Sequence, residues 1–239
     1  SGGTYISIKK LGYQCIKLSK YTGFKEMLDG RVKTLHPKIH AGILNKRDNK
    51  LHLKDLRVNN FENIDLVIVN FYPFEKTLKN TKNHSKLVEN IDIGGPTLVR
   101  AAAKNYKYTT VLTSPHQYKE FIIDLEKNRG YTSLDFRKKL SQEAFNLTAY
   151  YDSVISDYFN NTNNDYFPQK KTIFGNLVEI LRYGENPHQK SAIYSRNNKL
   201  DISQLSGKKL SYNNYNDIYA ALNISKTLPK NIGTVIVKH

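Results

Sequence analysis

The residues best suited to bind an anion lie in one short stretch, TGFKEMLDGRVKTLHPKIHAG, at positions 22–42. An Asp-Gly pair within it is a turn signal, because glycine tolerates positive φ and aspartate bonds its own backbone. Arg31, Lys33 and Thr34 follow at once and offer a planar fork of donors, a point charge and a hydroxyl. Such a loop is suited to a phosphate group. On charge alone, a solvated basic loop without a ligand remains the alternative.

A second group of candidate residues follows an apolar run at positions 64–70. Both faces of this run are apolar, which is typical of a central parallel strand. It would deliver Asn70 and Tyr72 to its carboxyl end, where open α/β sheets bind ligands. Without other information, Tyr72 could equally be an aromatic residue that closes the edge of the sheet.

A third group begins with the sequence DIGGP, in which Asp92 precedes Gly94 and Gly95. The proline after them suits the first turn of a helix, predicted from Thr97 onwards, and Asp92 would lie near the positive end of that helix. Lys104 lies seven residues after Thr97 and therefore on the same helix face. A simple capped helix accounts for the proline but not for two adjacent glycines after an aspartate.

Composition limits the classes of protein that the chain can belong to. Its 239 residues suffice for one large or two modest domains, and a single cysteine rules out an internal disulfide framework. No run of about 20 apolar residues predicts a membrane span, and no signal peptide opens the chain, so a cytoplasmic protein is expected. His36 and His40 have the spacing of metal ligands, but no third ligand follows, and no metal site is predicted. The net charge of +16 keeps nucleic-acid binding open, although the lysines are scattered and form no recognised motif.

Alternating strands and helices predict an α/β fold. A short helix that starts after SGGT and stops at Gly12 precedes a predicted strand. The Asn-rich stretch before position 172 indicates a linker. The predicted strands lie at 14–19, 64–70, 108–112, 172–181, 192–194 and 233–239, and the predicted helices at 37–61, 97–105, 114–128, 134–160 and from about 216.

Five blocks of the sequence closely resemble the AICAR transformylase/IMP cyclohydrolase family, in the family's order and spacing. They lie at positions 22–42, 64–77, 91–105, 181–189 and 237–239. The resemblance implies a methylglyoxal-synthase-like, doubly wound parallel sheet at 1–162, a linker at 163–171, and the truncated beginning of an α/β, cytidine-deaminase-like transformylase domain at 172–239. It also implies that family members extend beyond both ends of this chain.

The resemblance also assigns roles to individual residues. Catalysis of ring closure would fall to Lys33, Tyr72, Asp92 and Lys104. Nucleotide binding at the same site would use Ser1, Gly3, Thr4, Arg31, Thr34, Asn70, Gly94 and Gly95. The transformylase nucleotide site would include Arg182, Tyr183 and Asn213, and its catalytic pair would be Lys238 and His239.

The resemblance implies cyclodehydration of FAICAR to IMP, a step of purine biosynthesis that needs no cofactor. In the intact protein this step is coupled to formyl transfer from 10-formyltetrahydrofolate to AICAR, and the intact protein is a homodimer. The segment that precedes this chain in family members completes the phosphate site, so activity of the chain by itself is left open. The alternatives are a methylglyoxal-synthase-like module that binds a phosphorylated metabolite without turnover, and a nucleic-acid-binding protein.

Overall fold

A computed structural model describes residues 2–200 and 202–238. Ser1 and His239, to which the sequence assigns roles, therefore lie outside the described residues. The chain divides into two compact units, Ser1–Pro168 and Gln169–His239. The boundary falls within the exposed stretch predicted as a linker, while the assignment of domains to the two units stays a prediction. Within the described residues, no helix is both long and apolar enough to cross a membrane.

The first unit is a mixed α/β structure in which helices surround a short parallel sheet. Its strands are β1 (Leu66–Ile68) and β2 (Thr110–Leu112), and two 3-10 turns lie at Leu28–Gly30 and Pro115–Gln117. Its helices are α1 (Gly2–Lys10), α2 (Leu18–Thr22), α3 (Pro37–Leu44), α4 (Lys50–Val58), α5 (Phe74–Asn80), α6 (His84–Glu89), α7 (Gly94–Lys104), α8 (Tyr118–Lys127) and α9 (Leu134–Thr162).

The two strands pair in parallel, with Val67 opposite Val111 at the centre. Both side chains are buried, whereas Ile68 of β1 is 50% exposed, so β1 is not buried on both faces as a central strand would be. The assigned strands are shorter than predicted, yet backbone bonds from Thr110 N–H to the Asp65 carbonyl and from Val69 N–H to the Leu112 carbonyl extend the pairing. The backbone then leaves the sheet, which places positions 70–72 at its carboxyl edge.

Helix α7 packs between the sheet and α9. Ala102 and Ala103 have no exposed surface, because side chains of this size let the helix approach its neighbours closely. Leu140 of α9 is 1% exposed against the same core, and the Ser141 hydroxyl donates to the Ala103 carbonyl at 2.8 Å. This packing fixes the direction of α7 and hence the position of its N-terminus.

Buried polar contacts join the end of α3 to the loop between α7 and β2. The Asn105 side-chain amide donates to the carbonyls of Ile43 (2.7 Å) and Asn45 (2.9 Å). The Thr109 hydroxyl lies 3.2 Å from the carbonyls of Ile43 and Ile64. Carbonyls at a helix end that would otherwise lack partners are thereby satisfied. The contacts also fix α3, and with it the loop that precedes α3.

The second unit contains an antiparallel pair, β3 (Asn176–Ile180) and β4 (Ala192–Ser195), and helix α10 (Tyr212–Ser225). Tyr215 of α10 is 7% exposed and donates to Glu179 of β3 at 2.7 Å. Burial and, to a smaller extent, this bond to Glu179 raise the pKa of Tyr215 to about 12. The bond attaches the helix to the sheet.

Three sequence predictions of secondary structure are wrong. Residues 13–17 form no strand, and α2 begins at Leu18 instead. Residues 232–238 also form no strand, because no neighbouring backbone in the described part of the chain provides a ladder for them. Helix α10 begins at Tyr212 rather than near 216, because Ser211 and Asn214 form a capping box.

Candidate functional site

The Asp92 carboxylate organises the N-terminus of α7. Its Oδ1 accepts the Gly95 N–H at 2.8 Å, and its Oδ2 accepts the Tyr72 N–H at 3.3 Å. One acceptor therefore serves an unpaired donor at the helix start and a donor from the segment that follows β1. This arrangement brings Asp92 and Tyr72, predicted from separate stretches, into direct contact.

The two glycines after Asp92 are required by close approach. A Cβ atom at Gly95 would lie 2.4 Å from the Asp92 Oδ2 atom, and one at Gly94 would lie 2.3 Å from the Thr34 Oγ1 atom. The first glycine lets the basic loop approach the start of α7, and the second lets the carboxylate fold back onto the helix. Thr34, Gly94, Gly95, Asp92 and Tyr72 thus form one cluster from three separate segments.

Tyr151 of α9 supports this cluster from behind, and the sequence analysis missed it. Its hydroxyl accepts the Asp92 N–H at 2.9 Å and lies 3.4 Å from the Asn90 carbonyl. Its ring meets the Phe71 ring edge-on, with centroids 5.1 Å apart. Burial raises the pKa of the Tyr151 hydroxyl, which therefore stays protonated. In the sequence Tyr151 reads only as apolar surface of α9, since 59 residues separate it from Asp92.

The basic loop adopts the predicted turn, with φ of +52° at Asp29 and +87° at Gly30. Arg31 is paired through both arms of its guanidinium with Glu89, at the end of α6. The Lys33 ammonium lies 2.5 Å from Glu26, and this contact lowers the pKa of Glu26. Both predicted cations of the loop therefore have acidic partners that the sequence analysis did not identify.

Lys33 and Thr34 are adjacent in the sequence but contact different parts of the structure. Lys33 and Glu26 line a cavity of about 260 Å³ bounded by residues of the 19–37 segment, His36 among them. Thr34, by contrast, lies against Gly94. In this arrangement Lys33 bonds to Glu26 and not to Asp92.

Asn70 and Tyr72 lie at the carboxyl edge of the sheet, as predicted. Both are exposed, and the Tyr72 side chain retains 55% of its accessible surface. The contact of Tyr72 with Asp92 uses its backbone N–H, so its hydroxyl is not engaged by the carboxylate. The ring and the hydroxyl of Tyr72 are thus available to a ligand at this edge.

Lys104 is not brought to Asp92 in this chain. It is the last residue of α7 and is exposed, whereas Asp92 precedes the first. Lys104 is the tenth residue after Gly94, which places it about 15 Å further along the helix axis. The catalytic role that the resemblance assigns to Lys104, as charge partner of Asp92 or oxyanion donor, is therefore not supported by contact with Asp92 within one chain.

The N-terminal contact residues Gly3 and Thr4 lie in the first turn of α1 and are exposed. Helix α1 is joined to the segment after it by the Cys15 thiol, 3.7 Å from the Tyr5 carbonyl, and by Lys17, whose ammonium lies over the Tyr5 ring. These contacts do not reach the Asp92 cluster. A phosphate role for Gly3 and Thr4 stays a prediction.

In the second unit, the predicted nucleotide residues are gathered around one loop. The Arg182 guanidinium lies over the Tyr183 ring at 4.7 Å, and the Asn213 amide donates to the Glu185 carbonyl at 3.1 Å. The backbone bond from the Tyr212 N–H to the Tyr183 carbonyl fixes this loop to the start of α10. Lys238 is exposed, outside regular structure, and none of these contacts includes it.

The two histidines with metal-ligand spacing have structural contacts. The His36 Nδ1 atom accepts the Lys38 N–H and caps α3, and the His40 Nδ1 atom lies 3.3 Å from the His36 carbonyl. Residues 2–200 and 202–238 contain no group of three or more His, Cys, Asp or Glu residues that could hold a metal ion.

Comparison with known proteins gives two family matches. Residues 1–97 match the MGS-like domain, and residues 102–239 match the AICARFT/IMPCHase bienzyme model. The structure is similar to a crystal structure of ForH, with a TM-score of 0.56 and 29% sequence identity over 66% of this chain and 82% of that one.

Curated relatives give the same result over the whole chain. The bifunctional purine biosynthesis proteins PurH of Rippkaea orientalis and of a Thermoanaerobacter species are 45% and 46% identical to it. Each alignment covers all of this chain and 48% of the relative, so the chain spans about half the length of these proteins. The chain belongs to the AICARFT/IMPCHase bienzyme family.

Proposed function

We propose that the first unit closes FAICAR to IMP. The observation that carries this proposal is the cluster in which Asp92, Gly94, Gly95, Thr34 and Tyr72 meet at the N-terminus of α7. Backbone donors and the helix dipole make such a terminus a favourable place for an anionic group. The family match and the relatives named for purine biosynthesis support the same reaction.

Ring closure forms a bond between the carboxamide nitrogen and the formyl carbon of one molecule. One proton leaves the carboxamide nitrogen and another leaves the formamido nitrogen, and both depart with the formyl oxygen as water. The reacting groups are tethered, so the protein need only select their orientation, move protons and stabilise the oxyanion of the tetrahedral intermediate. The atoms and electrons of this reaction balance without a redox or group-transfer cofactor.

The residues of the cluster, together with Arg31 and Lys33 of the basic loop, suit these tasks. Arg31 and Thr34 would hold the phosphate, and the Tyr72 hydroxyl would donate to an oxygen of the base portion. Asp92 would accept and relay a proton, and Lys33 would stabilise the oxyanion once it is released from Glu26. Lys104 is left out of this mechanism, because it lies at the far end of α7.

The second unit is proposed to be the beginning of the transformylase, with Arg182, Tyr183 and Asn213 around the AICAR nucleotide. The complete protein would transfer a formyl group from 10-formyltetrahydrofolate and would be a cytoplasmic homodimer. Sedimentation velocity of the complete protein tests the dimer, and a single monomer boundary at micromolar concentration would exclude it.

The test of the cyclohydrolase is the ultraviolet absorbance change when FAICAR is mixed with the chain and, in parallel, with a version that restores the preceding segment of its relatives. We expect turnover, and Asp92→Asn should lower its rate by about 10²–10⁴-fold, the usual contribution of a positioned acid or base. The matched control is Asp48→Asn, which removes an exposed carboxylate paired with Lys107.

Three results would contradict this proposal, the first for the reaction as a whole and the other two for the roles of single residues. A folded protein that binds IMP saturably but never consumes FAICAR would instead be a binding module of methylglyoxal-synthase-like fold. Equal rates for Asp92→Asn and Asp48→Asn would remove Asp92 from the mechanism. A Lys33→Ala variant that cyclises at the parental rate would similarly exclude Lys33.

A further inference from the structure

The two cations of the basic loop share a feature that their spacing does not predict: each forms an ion pair with a glutamate. Arg31 meets Glu89, 58 residues away, through bonds from Nε to Oε1 at 3.3 Å and from Nη2 to Oε2. Lys33 meets Glu26 at 2.5 Å. Glu26 belongs to the same 22–42 stretch and Glu89 ends α6, so the two contacts can hold the loop in place before any ligand arrives.

The Arg31–Glu89 contact resembles the contact that a phosphate would make with Arg31. A carboxylate with two oxygens on the guanidinium fork occupies the same donors that a phosphate would use. Both side chains are largely exposed, at 66% and 57% of their accessible surface. An exposed ion pair contributes little to stability, so a dianionic phosphate can replace the carboxylate at small cost.

The Lys33–Glu26 contact has the same character in a more enclosed place. The Lys33 side chain is 21% exposed and that of Glu26 is 50% exposed, at the wall of the 260 Å³ cavity. The hydrogen bond from Lys33 lowers the pKa of Glu26, so this carboxylate remains charged at neutral pH. This bond uses one of the three donors of the Lys33 ammonium and holds the ammonium beside Glu26.

We infer that Glu89 and Glu26 are resident counter-anions, positioning residues that hold Arg31 and Lys33 until a dianionic phosphate displaces them. This inference rests on the proposed function of the same site. The exchange would make the site selective, because a ligand without an anionic group cannot replace the carboxylate on Arg31. The negative charge of Glu89 would also oppose a bound phosphate, so its removal should tighten phosphate binding.

The test compares Glu89→Gln with Glu120→Gln in the full chain. Glu120 forms an exposed ion pair with Lys139, with side chains 52% and 50% exposed, so its variant makes the same charge change in a comparable pair outside the site. Titration with inorganic phosphate at fixed ionic strength should show binding to Glu89→Gln about two- to fivefold tighter than to the parent. Glu120→Gln should bind phosphate as the parent does.

Kinetics provide a readout that a purely structural role would not change. Glu89→Gln should lower the KM for FAICAR by a similar factor and leave kcat unaltered, because the pair is broken before chemistry begins. Glu89→Asp, which keeps the charge, should restore the parental KM. Glu26→Gln should raise kcat, because Lys33 no longer needs to be released.

The outcomes separate this inference from the proposed function. If FAICAR is consumed but Glu89→Gln behaves like Glu120→Gln, or binds phosphate more weakly than the parent, the counter-anion role is wrong and the enzyme assignment stands. If phosphate binding tightens as expected but no variant consumes FAICAR, the exchange stands and the proposed reaction is wrong. Absence of phosphate binding to both the parent and Glu89→Gln would overturn the inference.

Discussion

Asp92 illustrates how backbone packing can mark a site more clearly than charge does. Its carboxylate is held by two backbone donors, and a Cβ atom three positions later would lie 2.4 Å from it. The same contact that could relay a proton therefore also determines how α7 begins. Any variant at this position changes both chemistry and fold, so the two effects need to be separated by experiment.

A double-mutant cycle separates them. Gly95→Ala should destabilise the protein by about 1–3 kcal/mol, because the new Cβ would overlap the Asp92 carboxylate. In an Asp92→Ala background the overlap disappears, and Gly95→Ala should be neutral or stabilising by up to about 1 kcal/mol, since alanine favours helix. Urea unfolding followed by circular dichroism measures both effects. Equal destabilisation in the two backgrounds would show that the clash is not with Asp92.

At the scale of single residues, the sequence indicated Asp92, Arg31 and Lys33 but not the glutamates that pair with the two cations. Asp92, Gly94 and Gly95 lie within four positions of one another, so their relation is visible locally. Glu89 and Arg31 are 58 positions apart, and only the packed structure shows that they meet. Glu26 stood inside the conspicuous loop, but no local rule pairs a glutamate with a lysine seven residues later outside a helix.

Among the elements, α9 has the widest structural influence. It buries Leu140 and Ala144 in the core, and two turns further along it presents Tyr151 to the backbone of the 90–92 turn. A helix of 29 residues can connect points about 40 Å apart. Its packing therefore sets where the N-terminus of α7, and hence Asp92, lies.

Tyr151→Phe tests this support. The variant keeps the ring against Phe71 but leaves the half-buried Asp92 N–H without its acceptor, and we expect a loss of about 1–3 kcal/mol in the free energy of unfolding. Tyr150→Phe is the control on the same helix, where the hydroxyl contacts the partly exposed Glu75 carboxylate. Thermal or urea unfolding of the two variants makes the comparison. If Tyr151→Phe costs no more than Tyr150→Phe, the hydroxyl does not support the turn.

Helices were easier to predict than strands in this chain, for a physical reason. The periodicity of α8 and α9 is local, and both form at the predicted positions, at Tyr118–Lys127 and Leu134–Thr162. A strand exists only where another strand pairs with it. Residues 64–70 and 108–112 pair with each other, whereas 13–17 and 232–238 have no described partner. Apolar, β-branched sequence alone could not distinguish these cases.

At the scale of the whole molecule, the net charge of +16 raises the question of a polynucleotide partner. The basic residues are spread over both units, and Arg31, Lys33, Arg47, Lys79, Lys107 and Lys139 already form ion pairs with acidic side chains. A diffuse positive charge attracts any polyanion at low salt but cannot specify a sequence. Arg31 and Thr34, by contrast, lie in one short loop and offer a local arrangement suited to one phosphate.

The salt dependence of binding distinguishes these two kinds of site. We expect single-stranded RNA to bind weakly and without sequence preference, with an affinity that falls steeply between about 50 and 200 mM salt, because each neutralised backbone phosphate releases a counterion. Binding of IMP, which presents one phosphate, should fall much less. Fluorescence anisotropy for RNA and calorimetry for IMP provide the two measurements.

Two variants assign each affinity to its residues. Arg31→Gln should weaken IMP binding by about tenfold or more, whereas Lys139→Gln, which removes a cation from another exposed ion pair, should leave it unaltered. Both should reduce RNA binding equally, because a diffuse field depends on the number of charges and not on their location. Sequence-dependent RNA binding tighter than about 10⁻⁸ M at physiological salt would contradict this expectation and make nucleic acid a specific partner. In that case Arg31 and Lys139 should also differ in their effect on RNA, because a specific interface depends on position as well as on charge.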